Sequence, residues 1–312
     1  MTKLISIVIP VYNEKGNIRA LYDRIDAALS SRAYELLFIN DGSSDGSGEE
    51  IEGIFSHNPK VKYIEFSRNF GKEMATSAGI HYAKGDAVIL IDADLQHPPE
   101  ILPEFIKRWE NGAEMVVGVR AFDKHDGFAR HLGSRLFYRV MNAIGDTDFV
   151  PRSTDFRLID RKVADEFNKF TEKNRVTRGI LDWLGFKKEY LTFEVAERNT
   201  GKASYSKRKL LALALSAVVS HSTFPLRLVG YLGLSITLFS AALGAFLLVE
   251  DIVLGDPLGL DVSGAAMVSV MILFLVGIML MWLGLIAFYI FTIQGEVMGR
   301  PMYIVRLTKN LK

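Results

Sequence analysis

Short apolar runs alternate with longer amphipathic stretches along the first 120 residues of the chain. The apolar runs are typical of β-strands and comprise Leu4–Pro10, Tyr34–Asn40, Val61–Phe66, Ala87–Asp92 and Met115–Val119. Between them, apolar side chains recur at helical spacing in two sets, namely Ile18, Leu21, Ile25, Ala28 and Leu29, and Ile101, Phe105 and Ile106 after Pro98-Pro99. This alternation predicts an α/β fold with a mainly parallel sheet.

The last third of the chain follows a different pattern, with two long uncharged segments. A helix over residues 228–249 would span roughly 33 Å at about 1.5 Å per residue, which is enough to cross a bilayer. The uncharged segment between Asp261 and Glu296 accommodates a second helix, at about residues 265–293. We therefore predict a hairpin of two transmembrane helices, with buried core helices of a large soluble domain as the alternative.

The charges around this hairpin are asymmetric. The connector between the two segments carries only acids, which are Glu250, Asp251, Asp256 and Asp261. The outer flanks carry the basic residues Arg227, Arg300, Arg306, Lys309 and Lys312. By the positive-inside rule both termini face the cytosol. The N-terminus lacks the length and cleavage site of a secretory signal. We therefore expect an integral inner (plasma) membrane protein with its N-terminal domain in the cytosol.

These patterns divide the chain into three regions. Residues 1–205 form a cytosolic domain, and residues 226–312 form the transmembrane hairpin with a short basic cytosolic tail. Between them, residues 206–225 open with Lys207-Arg208-Lys209 and continue with leucines and alanines, as in an amphipathic helix on the membrane surface. A helix that packs between domains is the alternative for this region.

Composition narrows the classes of function. Hydrophobic residues make up 49% and charged residues 23% of the chain, which excludes a disordered polypeptide. The 37 basic and 36 acidic residues give a net charge of +1, which argues against a nucleic-acid partner. The absence of cysteine excludes a disulfide framework, a thiolate metal site and a cysteine nucleophile.

The residues that follow the predicted strands are unusually polar. Ligands of parallel α/β sheets gather beyond the carboxyl ends of the strands, so these residues predict a nucleotide pocket. Tyr12 can stack on a base, Glu14 can hold a ribose hydroxyl or a base edge, and Asp41 can accept from a base N–H. The run Asp41-Gly42-Ser43-Ser44-Asp45 is equally consistent with a turn and helix cap. The chain has no Gly-x-Gly-x-x-Gly fingerprint of dinucleotide binding.

A pair of acids follows the fourth predicted strand. The strand delivers Asp92 and Asp94 two residues apart, and Gln96 can add a carbonyl oxygen. Hard oxygen ligands suit Mg²⁺ or Mn²⁺, which would bridge the two phosphates of a nucleotide sugar and neutralise the departing diphosphate. Two solvated acids at a strand end are the alternative.

These motifs resemble those of the family 2 glycosyltransferases that act on polyprenyl phosphates. The group includes undecaprenyl-phosphate glucosyltransferases of the GtrB type and dolichyl-phosphate mannose synthases. The matching runs are 8–14, 41–45, 67–72, 92–99, 118–120, 155–158 and 198–206. The resemblance implies a GT-A catalytic domain over residues 1–205. It further implies a metal held by Asp92, Asp94 and Gln96, a nucleotide sugar bound by Pro10, Tyr12, Glu14, Asp41, Asp92 and Ala93, and catalytic roles for Asp94 and Asp155.

The reaction implied is transfer of a sugar from a nucleotide diphosphate to a polyprenyl (undecaprenyl) monophosphate, with inversion. Overall resemblance favours UDP-glucose as donor, with GDP-mannose as the alternative. Five basic residues are expected to bind the acceptor phosphate, namely Arg120, Arg135, Arg198, Lys202 and Lys207. An anchor for anionic membrane lipids explains Lys207 equally well. Asp155 is an acceptor-side acid or, alternatively, the partner of Arg157 or Arg135 in a structural salt bridge.

Two other functions are considered for this chain, together with its oligomeric state. A processive polysaccharide synthase would resemble its relatives in a Gln-x-x-Arg-Trp element, which follows neither Gln96 nor Gln294. A non-catalytic membrane scaffold is disfavoured because Asp94 is present. Small residues in the two uncharged segments allow close helix contacts, so we expect a homo-oligomer. They are Gly230, Gly233, Gly244, Gly277 and Gly284.

Overall fold

The computed structural model of the protein describes residues 3–121, 152–173, 175–194 and 264–311. The chain divides into two compact units. One consists of Met1–Ser206 together with Arg300–Lys312, and the other is Lys207–Gly299. The C-terminal residues therefore belong to the same unit as the N-terminal domain.

A single mixed sheet organises the first unit. Its strands are β1 (Leu4–Val11), β2 (Ala33–Asn40), β3 (Val61–Phe66), β4 (Ala87–Leu90), β5 (Met115–Arg120), β6 (Ser153–Asp160), β7 (Lys188–Phe193) and β8 (Val305–Lys309). In the described part of the chain their order is β7-β5-β6-β4-β1-β2-β3-β8. β1 pairs in parallel with β2 and β4, and β2 with β3. Most side chains of β1, β2 and β4 are buried, as expected for parallel strands covered on both faces.

Helices cover both faces of this sheet. They are α1 (Ile18–Ala28), α2 (Ser47–Phe55), α3 (Lys72–Tyr82), α4 (Leu102–Glu110), α5 (Arg161–Phe167) and α6 (Thr177–Trp183), with a 3₁₀ turn at Pro99–Ile101. Apolar side chains of α1, α2 and α4 share one core cluster, and those of α3, α5 and α6 share the other. At Gly79 of α3, an added Cβ would lie 2.1 Å from Val8 Cγ1. Glycine there lets α3 lie directly on β1, which fixes the position of the first turn of α3.

The α/β fold and the mostly parallel sheet are confirmed. The five predicted strands correspond to β1–β5, and their ends differ by at most two residues. Three strands were not predicted. β6 runs antiparallel between β4 and β5, and β7 pairs in parallel with β5 at one edge.

The third unpredicted strand, β8, lies in the tail that we expected to be only short and basic. It pairs antiparallel with β3, with Tyr63 opposite Lys309 and Glu65 opposite Leu307. An edge strand exposes unpaired backbone groups, and β8 covers those of β3. The tail is therefore a structural part of the first unit.

The second unit contributes one described helix, α7 (Gly264–Val297), which includes the second predicted membrane segment. The first predicted segment and the juxtamembrane region 206–225 lie outside the described residues. Counting only residues whose side chains are described, no helix is both long and apolar enough to cross a membrane. The transmembrane hairpin therefore stays a prediction.

Candidate active site

A cleft of about 330 Å³ opens beyond the carboxyl ends of β1, β2 and β4. Its lining consists of Pro10, Val11, Tyr12, Glu14, Asp41, Asn69, Lys72, Ala75, Asp92, Ala93 and Asp94. Residues from four successive strand exits therefore meet in one place. All the residues that we assigned to the nucleotide sugar line this cleft. Asn69, which follows the third predicted strand, lines it too. Val11, Lys72 and Ala75 also line the cleft, and the sequence had assigned no role to them.

The loop after β2 holds the loop after β1 in place. The backbone N–H of Asn13 donates to Ser43 Oγ at 3.1 Å, and the N–H of Ser44 donates to Asn13 Oδ1 at 2.9 Å. Asp45 Oδ1 accepts from the N–H of Ser47 at 3.0 Å, at the start of α2. The serines and Asp45 thus form a turn, as we weighed in the alternative, and Asp45 contacts the first residue of α2, whose N-cap is Gly46. Their contacts fix the loop that carries Tyr12.

Asp41 does not take part in the contacts of this turn and instead contacts the chain after β3. Its side chain is buried within the cleft wall, with the residue 2% exposed. Its Oδ1 accepts from the N–H of Phe70 at 2.6 Å, and its Oδ2 accepts from the N–H of Gly71 at 2.9 Å. Burial raises the pKa of Asp41, and the two N–H donors oppose that rise without cancelling it. Because a carboxylate oxygen has two acceptor positions, Asp41 retains capacity for a base N–H.

A closed turn after β4 presents the paired acids. The N–H of Gln96 donates to Asp94 Oδ1 at 3.2 Å, and the N–H of Asp92 donates to His97 Nδ1 at 3.2 Å. The His97 ring is buried and stacks on Phe156, with centroids 4.9 Å apart. Burial lowers the pKa of His97, so the ring stays neutral and can accept this hydrogen bond. His97 therefore links the turn to the core of the domain through its hydrogen bond to Asp92 and its stacking on Phe156.

The chemistry of the turn suits a divalent cation. Asp92 and Asp94 both line the cleft and offer hard carboxylate oxygens. Gln96 Oε1 accepts from Arg120 Nη2 at 3.2 Å, so the third predicted ligand contacts a guanidinium. Among the described residues, no group of three or more His, Cys, Asp or Glu side chains could hold a metal ion. The residues fit a cation bound by two carboxylates, with substrate phosphates and water as further ligands, as is common for Mg²⁺.

Lys72 is a charged residue of the cleft to which the sequence analysis assigned no role. Its Nζ lies 2.6 Å from Asp92 Oδ1 and 3.0 Å from Asp155 Oδ2. Burial alone lowers the pKa of the Lys72 ammonium, but the two carboxylates outweigh this effect and raise its pKa. Lys72 is the first residue of α3, the helix that Gly79 seats on β1. The available signal was its position at the end of the motif 67–72, directly after a strand exit.

Asp155 belongs to the same charged cluster. Burial by itself raises the pKa of Asp155, but Lys72 and Arg178 outweigh it and hold that pKa at about 2. The salt bridge to Arg157 that we considered is not formed. Arg157 is fully buried and lies 3.6 Å from Asp182 instead. Lys72 therefore links Asp155 to the acid pair after β4.

The predicted acceptor residues are only partly described. Arg120 is exposed at the end of β5 and contacts Gln96, which places it beside the turn after β4. The other four, Arg135, Arg198, Lys202 and Lys207, lie outside the described residues.

The fold is that of a GT-A transferase domain, and the cleft lies where parallel α/β sheets bind their ligands. The chain belongs to glycosyl transferase family 2, whose pattern matches residues 6–167. A glucosyl-3-phosphoglycerate synthase from Mycobacterium tuberculosis, solved with Mn²⁺, UDP and phosphoglyceric acid, has a similar fold. The TM-score is 0.50 at 19% identity, and the match covers 70% of this chain and 78% of that one.

Relatives also match the chain almost end to end. A bactoprenol glucosyl transferase of Shigella phage SfV is 38% identical over 308 residues, covering 98% of this chain and 99% of the relative. An uncharacterized glycosyltransferase of Bacillus subtilis (strain 168) is 40% identical over 311 residues, covering 98% and 94%. The resemblance to polyprenyl-phosphate glycosyltransferases and the prediction of a glycosyltransferase enzyme are confirmed.

Proposed function

We propose that the protein transfers glucose from UDP-glucose to a polyprenyl monophosphate, with inversion at the anomeric carbon and with Mg²⁺ or Mn²⁺. The observation that carries this proposal is the cleft in which Tyr12, Asp41, Asp92 and Asp94 meet beyond the strand ends. Support for the sugar and the acceptor comes from the end-to-end match to bactoprenol glucosyl transferases. Support for the nucleotide and metal comes from the fold neighbour that was solved with UDP and Mn²⁺.

The cleft supplies contacts for each part of the donor. Tyr12 is 48% exposed at the cleft, so its ring has a free face on which a base can stack. Asp41 and Glu14 line the same cleft, where Asp41 would accept from a base N–H and Glu14 would hold a ribose hydroxyl. Asp92 and Asp94 would hold the divalent ion, whose charge offsets the negative charge of the departing diphosphate.

The acceptor phosphate needs positioning more than deprotonation. A phosphate monoester has a second pKa of about 6, so it is largely dianionic near neutral pH. Asp155, with a pKa of about 2, is ionised and too weak a base to take a proton efficiently. We therefore assign Asp155 to holding Lys72, and Lys72 to balancing negative charge near the reacting groups. Arg120, Arg135, Arg198, Lys202 and Lys207 would bind the incoming phosphate.

The sheet supports the proposed membrane topology. β8 follows the second unit in the sequence and pairs with β3, which precedes that unit. Both ends of the segment 207–299 therefore lie on the same side of any membrane that the segment crosses. This requires an even number of crossings, in agreement with the proposed two-helix hairpin and with both termini in the cytosol.

A transfer assay tests the proposed function. The purified full-length protein would be incubated with Mn²⁺, polyprenyl phosphate and radiolabelled UDP-glucose, or with GDP-mannose and other nucleotide sugars in parallel. We expect a single lipid-linked sugar phosphate from UDP-glucose. Transfer from GDP-mannose but not from UDP-glucose would show that GDP-mannose is the donor. A ladder of products would indicate a polymer synthase. Nucleotide binding without transfer to any acceptor would indicate a scaffold.

A cysteine placed at Asp256 is expected to react from outside the cell. The chain has no native cysteine, so Asp256→Cys provides a single reporter in the acidic connector. An impermeant maleimide should label it in intact cells. Ser30→Cys, on an exposed residue of the N-terminal domain, is the matched control and should label only after permeabilisation. The reverse pattern would overturn the proposed orientation.

Arg198→Ala is expected to impair use of the lipid acceptor while leaving the donor unaffected. Loss of a charged hydrogen bond to phosphate costs roughly 1.5 to 3 kcal/mol, or about ten- to 150-fold. We expect that loss in the KM for polyprenyl phosphate or in the rate at saturating UDP-glucose. Direct binding of UDP-glucose with Mn²⁺ should stay normal. An equal loss of UDP-glucose affinity would place Arg198 at the donor diphosphate instead.

A further inference from the structure

The C-terminal strand reaches the loop that forms one wall of the cleft. We name residues 67–71, which connect β3 to α3, the β3–α3 loop. The ladder between β3 and β8 has an irregularity at Glu65 and Phe66, after which Phe66 lies opposite Val305. Pairing then continues past the strand, because the N–H of Ser67 donates to the carbonyl oxygen of Ile304 at 3.0 Å. The first residue of the loop is therefore tied to the C-terminal tail.

A run of three aromatic rings extends this contact. Tyr303 stacks on Phe66, with centroids 4.9 Å apart and planes at 14°. Phe66 in turn meets Phe70 edge to face, at 5.8 Å and 90°. Phe66 is 1% exposed, so Tyr303 and Phe70 enclose a buried ring. Rings in such pairs contribute beyond the area they bury, and each pair restricts the orientation of its partner.

The backbone of Phe70 and Gly71 is the part of the loop that contacts Asp41. Their N–H groups occupy both carboxylate oxygens of Asp41, as described above. The loop also lies tightly against the turn after β2, since an added Cβ on Gly42 would lie 2.6 Å from the carbonyl carbon of Arg68. Asn69, between these contacts, lines the cleft. A shift of Phe70 would therefore move the Asp41 carboxylate and Asn69 together.

We propose that the C-terminal tail, through Tyr303, is a positioning element for the nucleotide site. Tyr303 is not among the residues that line the cleft. It stacks on Phe66, Phe66 meets Phe70 edge to face, and the N–H of Phe70 donates to Asp41. The tail follows α7 in the sequence by a few residues. The inference rests on the proposed role of the cleft as the nucleotide site.

The test measures binding of UDP with Mn²⁺ to the full-length protein by calorimetry, followed by transfer kinetics. In Tyr303→Ala we expect the Kd for UDP to rise roughly three- to tenfold, which corresponds to losing one aromatic pair. The KM for UDP-glucose should rise by the same factor, whereas kcat and the KM for polyprenyl phosphate should change little. Tyr303→Phe keeps the stacked ring and should restore wild-type affinity.

Leu311→Ala is the matched control for lost stability. Leu311 packs against the same core cluster as Tyr303 but lies beyond the far end of β8, away from the loop. It should lower the melting temperature without changing the Kd for UDP. An unchanged Kd in folded Tyr303→Ala, or an equal rise in Leu311→Ala, would overturn the positioning role. Failure of the wild-type protein to bind UDP would instead remove the proposed function, and this inference with it.

Discussion

Asp94→Asn is expected to lower the transfer rate by roughly 100- to 1,000-fold while leaving the protein folded. The substitution removes one of the two negative charges that we assign to the divalent ion. It preserves the turn after β4, because an asparagine Oδ1 can still accept the N–H of Gln96 that Asp94 accepts at 3.2 Å. The loss should therefore come from metal and diphosphate contacts. Rates measured over a range of Mn²⁺ concentrations would show it, together with a melting curve.

An exposed acid provides the control for this change. The side chain of Asp23 on α1 is 54% exposed and pairs with Arg19 at 3.1 Å, and Asp23 is not among the residues that line the cleft. Asp23→Asn should alter the rate by no more than about twofold, as is usual for surface substitutions. Excess chelator should abolish activity of the wild-type protein, and added Mg²⁺ or Mn²⁺ should restore it. Full activity in chelator, or in folded Asp94→Asn, would contradict the metal assignment.

The first half of the fold could be predicted because its strands are short segments rich in apolar residues. β1, β2 and β4 are buried on both faces, so their side chains are apolar at nearly every position and stand out from the amphipathic helices. β8 offers no such signal. Its residues are mostly exposed, and Val305 and Leu307 alternate with charged or polar residues. Only its pairing with a strand distant in the sequence makes it a strand.

The nucleotide side of the cleft was accessible to sequence reasoning for a similar reason. Parallel strands deliver the residues at their carboxyl ends to one edge, so Tyr12, Asp41 and Asp92 could be placed together without coordinates. The contact of Gln96 with Arg120 was not accessible, because it depends on how β5 lies beside the turn after β4.

The link between Asp155 and the cleft was hidden for another reason. As the alternative to an acceptor-side acid, we considered a salt bridge of Asp155 to Arg157 or Arg135, but Arg157 lies 3.6 Å from Asp182. Successive residues of a strand face opposite sides of a sheet, so Asp155 and Arg157, which are two residues apart, share one face. Spacing alone therefore favoured a common face, and only the structure shows that Lys72 from α3 reaches Asp155 first.

Lys72→Met is expected to lower the transfer rate by roughly 100- to 1,000-fold, comparable to the loss of one group that stabilises charge in a transition state. The change leaves the carboxylates of Asp92 and Asp155 without the cation that lies 2.6 and 3.0 Å from them. It also removes a positive charge from the cleft lining, where the diphosphate would depart. Lys107→Met, on an exposed lysine of α4, is the control and should have little effect.

Asp155→Asn tests whether Asp155 acts only by holding the Lys72 ammonium or also has a role of its own. If Asp155 acts only by holding the ammonium in place, its charge no longer matters once Lys72 is replaced. The double variant Lys72→Met/Asp155→Asn should then transfer sugar no more slowly than Lys72→Met alone. Groups that act as a unit show this kind of non-additivity. If the losses of the two single variants instead multiply, Asp155 has an independent role toward the acceptor, such as a hydrogen bond to a sugar hydroxyl. Normal transfer in folded Lys72→Met would show that the cation between the two acids is structural and remove Lys72 from the proposed active site.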